Sequence, residues 1–355
     1  MESYPTVRNP YAQMWAHTRN AAYVAMGHTV DVFVFSGQQP YRFQGVSVYP
    51  VKHIANRNRL EQYDVIVAHQ PNLRDHLRFL IARRRKTPVV YFFHGHEALI
   101  SDLDYPPPYP YMPAKRLPTL VRRLYDRLKV RILRRWFESN YAVKSGIVFV
   151  SNWMKNKFIE RVGIDPEGRL PVEIIPNPVN PVFIERSYNW SSEKERDFIC
   201  LRQLDQPKHS VDKVVELAEA NPHLTFTIYG KGRYFLYNKK PSNVEWIDRY
   251  LLPEEMPDVF DRHRCAVMPT RVDSQGVMMC EMATYGIPVI TTDLDVCRDA
   301  LGGFRNVMFL GLNDFGRSID LDWVEPGEQV DRQRYDPMRL ARREIEFFHR
   351  VQREA

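Results

Sequence analysis

Short apolar runs recur along this chain, most of them followed by a stretch of helical periodicity. This alternation restricts the fold more than any single motif does. In the first half the runs are "TVDVFVF" (29–35), "DVIVAH" (64–69), "PVVYFFH" (88–94), "GIVFV" (146–150) and "VEII" (172–175). In the second half they are "DFICL" (197–201), "LTFTIY" (224–229), "VEWI" (244–247), "CAVMP" (265–269) and "PVITT" (288–292). Strands that are apolar throughout belong to parallel sheets covered by helices on both faces. Two such series in 355 residues predict an α/β protein of two Rossmann-like, doubly wound domains. The polar, proline-bearing stretch 177–196 reads as the linker, and "PPPYPYMP" (106–113) as a local loop of the first domain. Such a domain usually opens with an apolar strand. "MESYPTVRNP" begins where that strand should be ending, so the first strand of the N-terminal domain is expected to be missing.

No run of 18 apolar residues occurs, so no helix is expected to span a membrane. The N-terminus does not follow the pattern of a signal peptide. Cys200, Cys265, Cys280 and Cys297 have no CxxC spacing, which reads as reduced core thiols in a cytoplasmic protein. A net charge of +7 favours an acidic partner, and nucleotide, nucleic acid or anionic lipid would each satisfy it. Without a helix-turn-helix, RRM or zinc pattern, nucleic acid is not an expected partner.

The stretch "VDSQGVMMCEMATYGIPVIT" (272–291) carries the chemistry. It predicts a helix over 277–285, stopped by Gly286 and Pro288. Val277, Met278, Met279, Cys280, Met282, Ala283 and Tyr285 make it apolar on nearly every side, the pattern of a buried helix. Glu281 is the exception. "CAVMP" ends where open parallel sheets bind ligands, and "TRVDSQG" leads from it into the helix N-terminus. Unpaired N–H groups and the positive dipole end suit an anion there, and Gly276 leaves the backbone open to it. A carboxylate one turn inside needs partners: either vicinal hydroxyls such as a ribose diol, or an intramolecular Arg or Lys. Both stay open on the residues alone. Gly230 and Gly232 in "YGKGRY" follow a strand as a phosphate-side turn would.

"DSQGVMMCEMATYGIPVI" resembles the E-x7-E segment of retaining GT-B glycosyltransferases of family 4, with Asp273 and Glu281 at the two acidic positions. "VSNWMKNKF", "IIPNPV", "FICLRQLDQPKHSVDKV", "FFHGHE" and "YPTVRNP…GHTVDVFVF" resemble further family segments, so the resemblance spans essentially the whole chain. It implies two Rossmann-like domains facing across a cleft: an acceptor-side domain over 1–180, a nucleotide-sugar domain over 181–336 and a helix over 337–355 crossing back to the first. Leu340, Ile345, Phe347, Phe348 and Val351 are the apolar positions of that helix.

It further implies that Arg202 and Lys208 bind the donor diphosphate and that Glu281 holds the ribose. Asp273, with the backbone N–H groups of Gly276 and Val277, would address the donor sugar, and His94 would lie near that sugar. A capped strand-end histidine is the plainer reading of His94. The chain departs from the family pattern at Asp273 for Glu, at Leu201 for the Gly before Arg202, in an Arg202-to-Lys208 gap one residue longer, at His209 for the Gly after Lys208, and in "RNPYAQM" in place of the opening Gly-rich loop. The implied reaction is transfer of a hexose-type sugar, with retention, to a polysaccharide, lipid-linked or other glycan acceptor in cell-envelope polysaccharide biosynthesis. The leaving phosphate would help to deprotonate the acceptor. No cofactor and no metal are expected, since Arg202, Lys208 and a helix dipole can do a cation's work, and a UDP-sugar is favoured over a GDP-sugar as donor. The alternatives are a sugar-nucleotide epimerase of the same fold and a catalytically silent basic binding protein.

"VRRLYDRLKVRILRRW" (121–136) sets Val121, Leu124, Tyr125, Leu128, Ile132 and Trp136 against seven basic residues and one acid. It reads as an interfacial helix docking the first domain on an anionic membrane, on the inner face of the cell membrane, or else as a core helix with a solvated basic face. "LIARRRK" (80–86) adds a second basic cluster.

Overall fold

The computed structural model describes residues 1–7, 9, 12–37, 39–54, 60–83, 87–113, 118–139, 144–321, 323 and 330–354. It divides into two compact units. Unit 1 comprises Met1–Leu103, Leu117–Pro178 and Pro337–Ala355; unit 2 comprises Asp104–Arg116 and Val179–Asp336. The proline-rich segment, read from sequence as a loop of the first domain, therefore lies with unit 2. Its tyrosines find their hydrogen-bond partners there. Most of the stretch read as a linker also belongs to unit 2, where Tyr188 donates to the His263 carbonyl at 2.6 Å.

In unit 1, β1 (Asp31–Val34), β2 (Tyr41–Phe43) and β3 (Val46–Pro50) form a sheet ordered β1-β3-β2. β4 (Ile66–His69), β5 (Val89–Phe93), β6 (Ser145–Phe149) and β7 (Val172–Ile174) form a parallel sheet in that order. β5 and β6 are buried at every residue, which is why their sequences do not alternate. The β2–β3 hairpin was not anticipated. Its turn residues Gln44 and Gly45 both have positive φ, 41° and 87°, as a two-residue hairpin turn requires, but Gln-Gly is not among the usual signatures. β1 and β4 are both edge strands. Met1 and Glu2 run beside β1, with the Met1 amine on the Phe33 carbonyl at 2.8 Å and Phe35 N–H on Met1 O at 2.9 Å. That is where the end of an opening strand was expected.

Helices cover the four-stranded sheet. Ser151 caps the Asn152–Val162 helix by accepting from Met154 N–H, and Gly163 ends it at φ 78°. Its Met154 and Phe158 join Trp136 and Phe137, of the Thr119–Glu138 helix, in one core. A second core joins the Met14–Ala25 helix to the Pro337–Arg353 helix: Leu340, Ala341, Phe347, Phe348 and Val351 pack with Ala22, Tyr23, Val90, Phe92, Val148 and Ile175. Gly146 admits this close approach, since a Cβ there would lie 2.4 Å from Val351 Cγ2. Within the same core Arg19 Nε donates to Glu344 Oε1 at 2.7 Å, with both side chains buried.

Unit 2 is one parallel sheet of β8 (Arg196–Leu201), β9 (Phe226–Tyr229), β10 (Val244–Ile247), β11 (His263–Val267), β12 (Val289–Thr292) and β13 (Val307–Leu310). Its order is β10-β9-β8-β11-β12-β13, so the winding reverses between β8 and β11. Crevices at such reversals are where open α/β sheets bind ligands. β13 was not read from sequence.

Removing one member of a buried ion pair strands the other charge. Glu344→Ala should therefore destabilise the protein by about 3–5 kcal/mol, read as a clear fall in the thermal midpoint, and Glu344→Gln by less. An unchanged midpoint in Glu344→Ala would show that Arg19 does not need its partner.

Candidate active site

β8 ends at Leu201, and Arg202 follows at the point where the winding reverses. Its side chain is buried. Nη2 donates to the carbonyls of Met268 and Pro269 at 3.1 and 3.2 Å, while Nε is buried without a partner among the described residues. No carboxylate forms an ion pair with it among the described residues, and burial lowers its pKa. A buried cation held only by carbonyls has unused capacity for an anion.

Gly230 explains how the backbone reaches this position. At φ 151°, a Cβ there would lie 1.7 Å from Arg202 O. The glycine lets the turn after β9 press against the end of β8, so its role is to seat Arg202. Gly232 does the same against Leu204, whose Cβ would lie 2.7 Å away.

Lys208 stands in the Pro207–His209 turn ahead of the Val211–Ala220 helix. Its carbonyl accepts from Arg271 N–H at 2.8 Å and Thr270 Oγ1 at 2.9 Å. The loops after β8 and β11 are thereby stitched together, and the Lys208 ammonium enters no ion pair among the described residues. His209 was read only as a replaced glycine. Burial, then the charges of Arg202 and Lys208, push its pKa down to about 3, so it is neutral at physiological pH.

Asp273 folds back on its own loop, Oδ1 accepting from Ser274 N–H at 2.7 Å and Gln275 N–H at 3.3 Å. Gly276 follows at φ 75°, where a Cβ would meet Met279 Cε at 2.0 Å. It is the N-cap of the Val277–Tyr285 helix, which has no side-chain cap; Met279 N–H bonds to the Gly276 carbonyl at 2.9 Å, so the N–H groups of Val277 and Met278 are the ones at the helix end open to a ligand. Glu281 is half-buried one turn in and accepts from Asn180 N–H at 3.1 Å. Burial raises its pKa from 4.5 to about 7. No Arg or Lys forms an ion pair with it among the described residues, so the intramolecular partner weighed from sequence is not found there.

These residues belong to unit 2; His94 belongs to unit 1. It follows β5, with its N–H on Glu97 Oε1 at 2.8 Å. Its Nε2 lies 3.2 Å from His69 Nδ1, and the Trp15 ring sits 4.0 Å from its own. Burial, then the Arg19 charge, hold its pKa well below the usual histidine value. Gln13 and Gln70, bonded to each other at 3.3 Å, both have left-handed backbones, a strain that gathers at functional positions. Nothing in the sequence marked His69, Trp15 or this glutamine pair. All four cysteines are buried and unpaired. Burial raises the thiol pKa values of Cys200, Cys280 and Cys297 to about 12, so they are packing residues.

Residues 16–183 match the family model Glycosyltransferase Family 4, and residues 198–311 match the model Glycosyl transferases group 1. The chain belongs to glycosyltransferase family 4, with the GT-B fold. A glycosyltransferase from Rickettsia africae superposes with a TM-score of 0.66 at 10% identity, covering 99% of this chain and 98% of that one. A sucrose-phosphate synthase from Thermosynechococcus elongatus does so at 0.69 and 11%, covering 99% and 94%. A UDP-forming trehalose-phosphate synthase from Burkholderia xenovorans gives 0.59 at 13%, covering 96% and 97%. In sequence, the chain is 22% identical over 204 residues to an uncharacterized 41.2 kDa protein in the cps region of Klebsiella pneumoniae. That match covers 54% of this chain and spans half the length of the relative.

The raised pKa of Glu281 has a signed consequence. Its folded state favours the protonated form, so this contribution to stability is present below pH 4.5 and is lost as pH rises through about 7. Glu281→Gln should remove that loss: at pH 8 the variant melts no lower than the parent, yet binds nucleoside diphosphate more weakly. A variant that melts far lower at pH 8 and binds normally would give Glu281 a purely structural role.

Proposed function

We propose that the protein is a retaining, metal-independent glycosyltransferase that moves a hexose-type sugar from a nucleotide diphosphate sugar to a glycan or lipid-linked acceptor. The observation that carries this reading is the Arg202 guanidinium, buried where the winding reverses and in no ion pair among the described residues. Lys208 stands on the adjoining turn. Together they can neutralise the diphosphate as the sugar leaves, the charge that a metal would otherwise supply. The first turn of the Val277–Tyr285 helix receives the anion, Glu281 the ribose hydroxyls, and Asp273 the sugar. His94, in unit 1 and neutral at physiological pH, is suited to hydrogen bonding rather than to charge. The chain contributes mainly positioning and preorganised charge. The UDP-forming relative favours UDP over GDP as the leaving group.

Arg202→Ala and Lys208→Ala should each raise the barrier by about 2–4 kcal/mol, measured as kcat/KM with UDP- and GDP-sugars. Turnover that needs a glycan acceptor and retains the anomeric configuration supports transfer. Conversion of the donor alone into its epimer supports an epimerase of the same fold. Parent-like rates in both variants would remove the diphosphate assignment.

The acceptor side of the proposal rests on the Thr119–Glu138 helix. Val121, Leu124, Tyr125 and Leu128 are 43, 55, 49 and 54% exposed, whereas Asp126 and Lys129 point inward as a buried ion pair at 3.1 Å. Asp126 accepts from Ser101 N–H at 2.9 Å, and Lys129 donates to the His96 carbonyl at 3.0 Å. Lys129 thus leaves the basic face read from sequence. Trp136, bonded to Tyr91 Oη at 3.1 Å, and the partly buried Ile132 leave the apolar one and pack in the core. Exposed Arg123, Arg127, Arg131, Arg134 and Arg135 flank the solvent-facing apolar residues. In "LIARRRK", the side chains of 82–86 lie outside the described residues. Among the described residues no helix is long and apolar enough to cross a membrane. We propose that this surface rests on the anionic cytoplasmic face of a membrane, with each Arg contributing about 1 kcal/mol. Sedimentation with phosphatidylglycerol vesicles should exceed that with phosphatidylcholine, fall with salt, and weaken in Leu124→Gln/Leu128→Gln. Equal sedimentation with both lipids would remove the membrane from the proposal.

A further inference from the structure

Asp104–Arg116 lies with unit 2, although the residues on either side of it belong to unit 1. Pro106, Pro107, Pro108, Pro110 and Pro113 fix φ at five positions, so ordering the segment costs less entropy, and it turns at Tyr109–Met112, where Met112 N–H bonds to the Tyr109 carbonyl at 2.9 Å. Its two tyrosines stack at 5.7 Å and 12° between ring planes. Tyr111 also stacks on Tyr237 at 4.7 Å and 6°, and Tyr109 meets Tyr234 edge-on at 5.3 Å.

The hydroxyls of this strap end on two aspartates that frame the Lys208 turn. Tyr111 Oη donates to Asp205 Oδ1 at 2.8 Å, and that oxygen also accepts Arg233 N–H at 2.9 Å. Tyr109 Oη donates to Asp212 Oδ1 at 2.8 Å. Asp212 holds both terminal nitrogens of Arg271. Arg271 in turn donates from Nη1 to the Pro207 carbonyl at 3.1 Å and from its backbone to the Lys208 carbonyl at 2.8 Å. Both ends of the stretch 205–212, and the loop leading to Asp273, are thereby gripped from one strap.

We propose that Tyr109 and Tyr111 are positioning residues for the donor diphosphate: they fix the 205–212 stretch so that Lys208 meets the phosphates beside Arg202. This rests on the reading that Arg202 and Lys208 bind the diphosphate. Tyr109→Phe/Tyr111→Phe keeps both rings and removes only the two hydroxyls. Titration calorimetry with UDP and GDP should show binding weakened by about tenfold, the scale of one lost hydrogen bond to a charged group. In the transfer assay donor kcat/KM should fall by at least a similar factor, with acceptor KM held and the thermal midpoint little changed. A lower midpoint with parental UDP and GDP binding and donor kcat/KM would make the hydroxyls structural and overturn the inference. Arg202→Ala separates the two layers. If it loses UDP and GDP binding while the double Phe variant binds as the parent does, the inference fails and the diphosphate assignment stands. If both bind normally, the assignment fails and takes the inference with it.

Discussion

The buried charge of Arg19 is the constraint on which unit 1 depends. Its three nitrogens are all engaged: Nε with Glu344 at 2.7 Å, Nη1 with Asn177 Oδ1 at 2.6 Å and Nη2 with the Pro176 carbonyl at 2.9 Å. Tyr23 donates to the other Glu344 oxygen. A buried guanidinium is tolerable only when it is fully paired. Satisfying this one requires the Met14–Ala25 helix, the Pro337–Arg353 helix and the chain following β7 to meet at one place. The same charge helps to keep His69 and His94 neutral. The far end of the sequence therefore acts, through one side chain, on the electrostatics around His94.

Arg202 in unit 2 makes an instructive contrast. It is also buried, yet carbonyl oxygens are its only hydrogen-bond acceptors among the described residues, and its Nε is unused. Arg19 has a carboxylate partner in Glu344, whereas no carboxylate forms an ion pair with Arg202 among the described residues. The cost of that burial is carried by close packing: Gly230 gives way to the Arg202 backbone, and the β8–β11 pairing fixes the strand beneath it. An anion that arrives there recovers electrostatic energy in a site already desolvated. One arginine is therefore paired with a buried carboxylate inside the fold, while the other, among the described residues, is held by carbonyls alone and keeps capacity for an anion.

Patterns that act locally were legible in the sequence. The continuously apolar strands lie within a residue or two of their observed bounds, and the Val277–Tyr285 helix ends at Gly286 in the left-handed conformation. What escaped depends on long-range partners. The Gln44-Gly45 hairpin needs two positive φ values that the residue types do not advertise. Tyr109 and Tyr111 look like loop residues until Asp212 and Asp205 are beside them. In the Thr119–Glu138 helix the periodicity was visible but the orientation was not. A buried Asp126–Lys129 pair, supported by the backbone of residues 96–101, turns part of the apolar stripe outward.

The departures from the family pattern around the site follow one electrostatic logic. His209 adds bulk where the family has glycine. With its pKa near 3 it adds no third positive charge to Arg202 and Lys208. Leu201 is buried and bonded through its N–H to Met268 Sδ at 3.5 Å, so it packs the base of the loop and leaves the polar surface to its neighbours. Asp273, one methylene shorter than Glu, reaches its own Ser274 and Gln275 N–H groups. It orders the approach to Gly276 instead of spending both oxygens outward, and one oxygen remains. Asp273 gives up side-chain reach for bonds within its own loop, whereas Leu201 and His209 add uncharged bulk, and the two cations and the uncapped helix end stay in place. A glycosyl donor bound here would meet a site organised before its arrival, which is where electrostatic stabilisation of a leaving diphosphate has its effect.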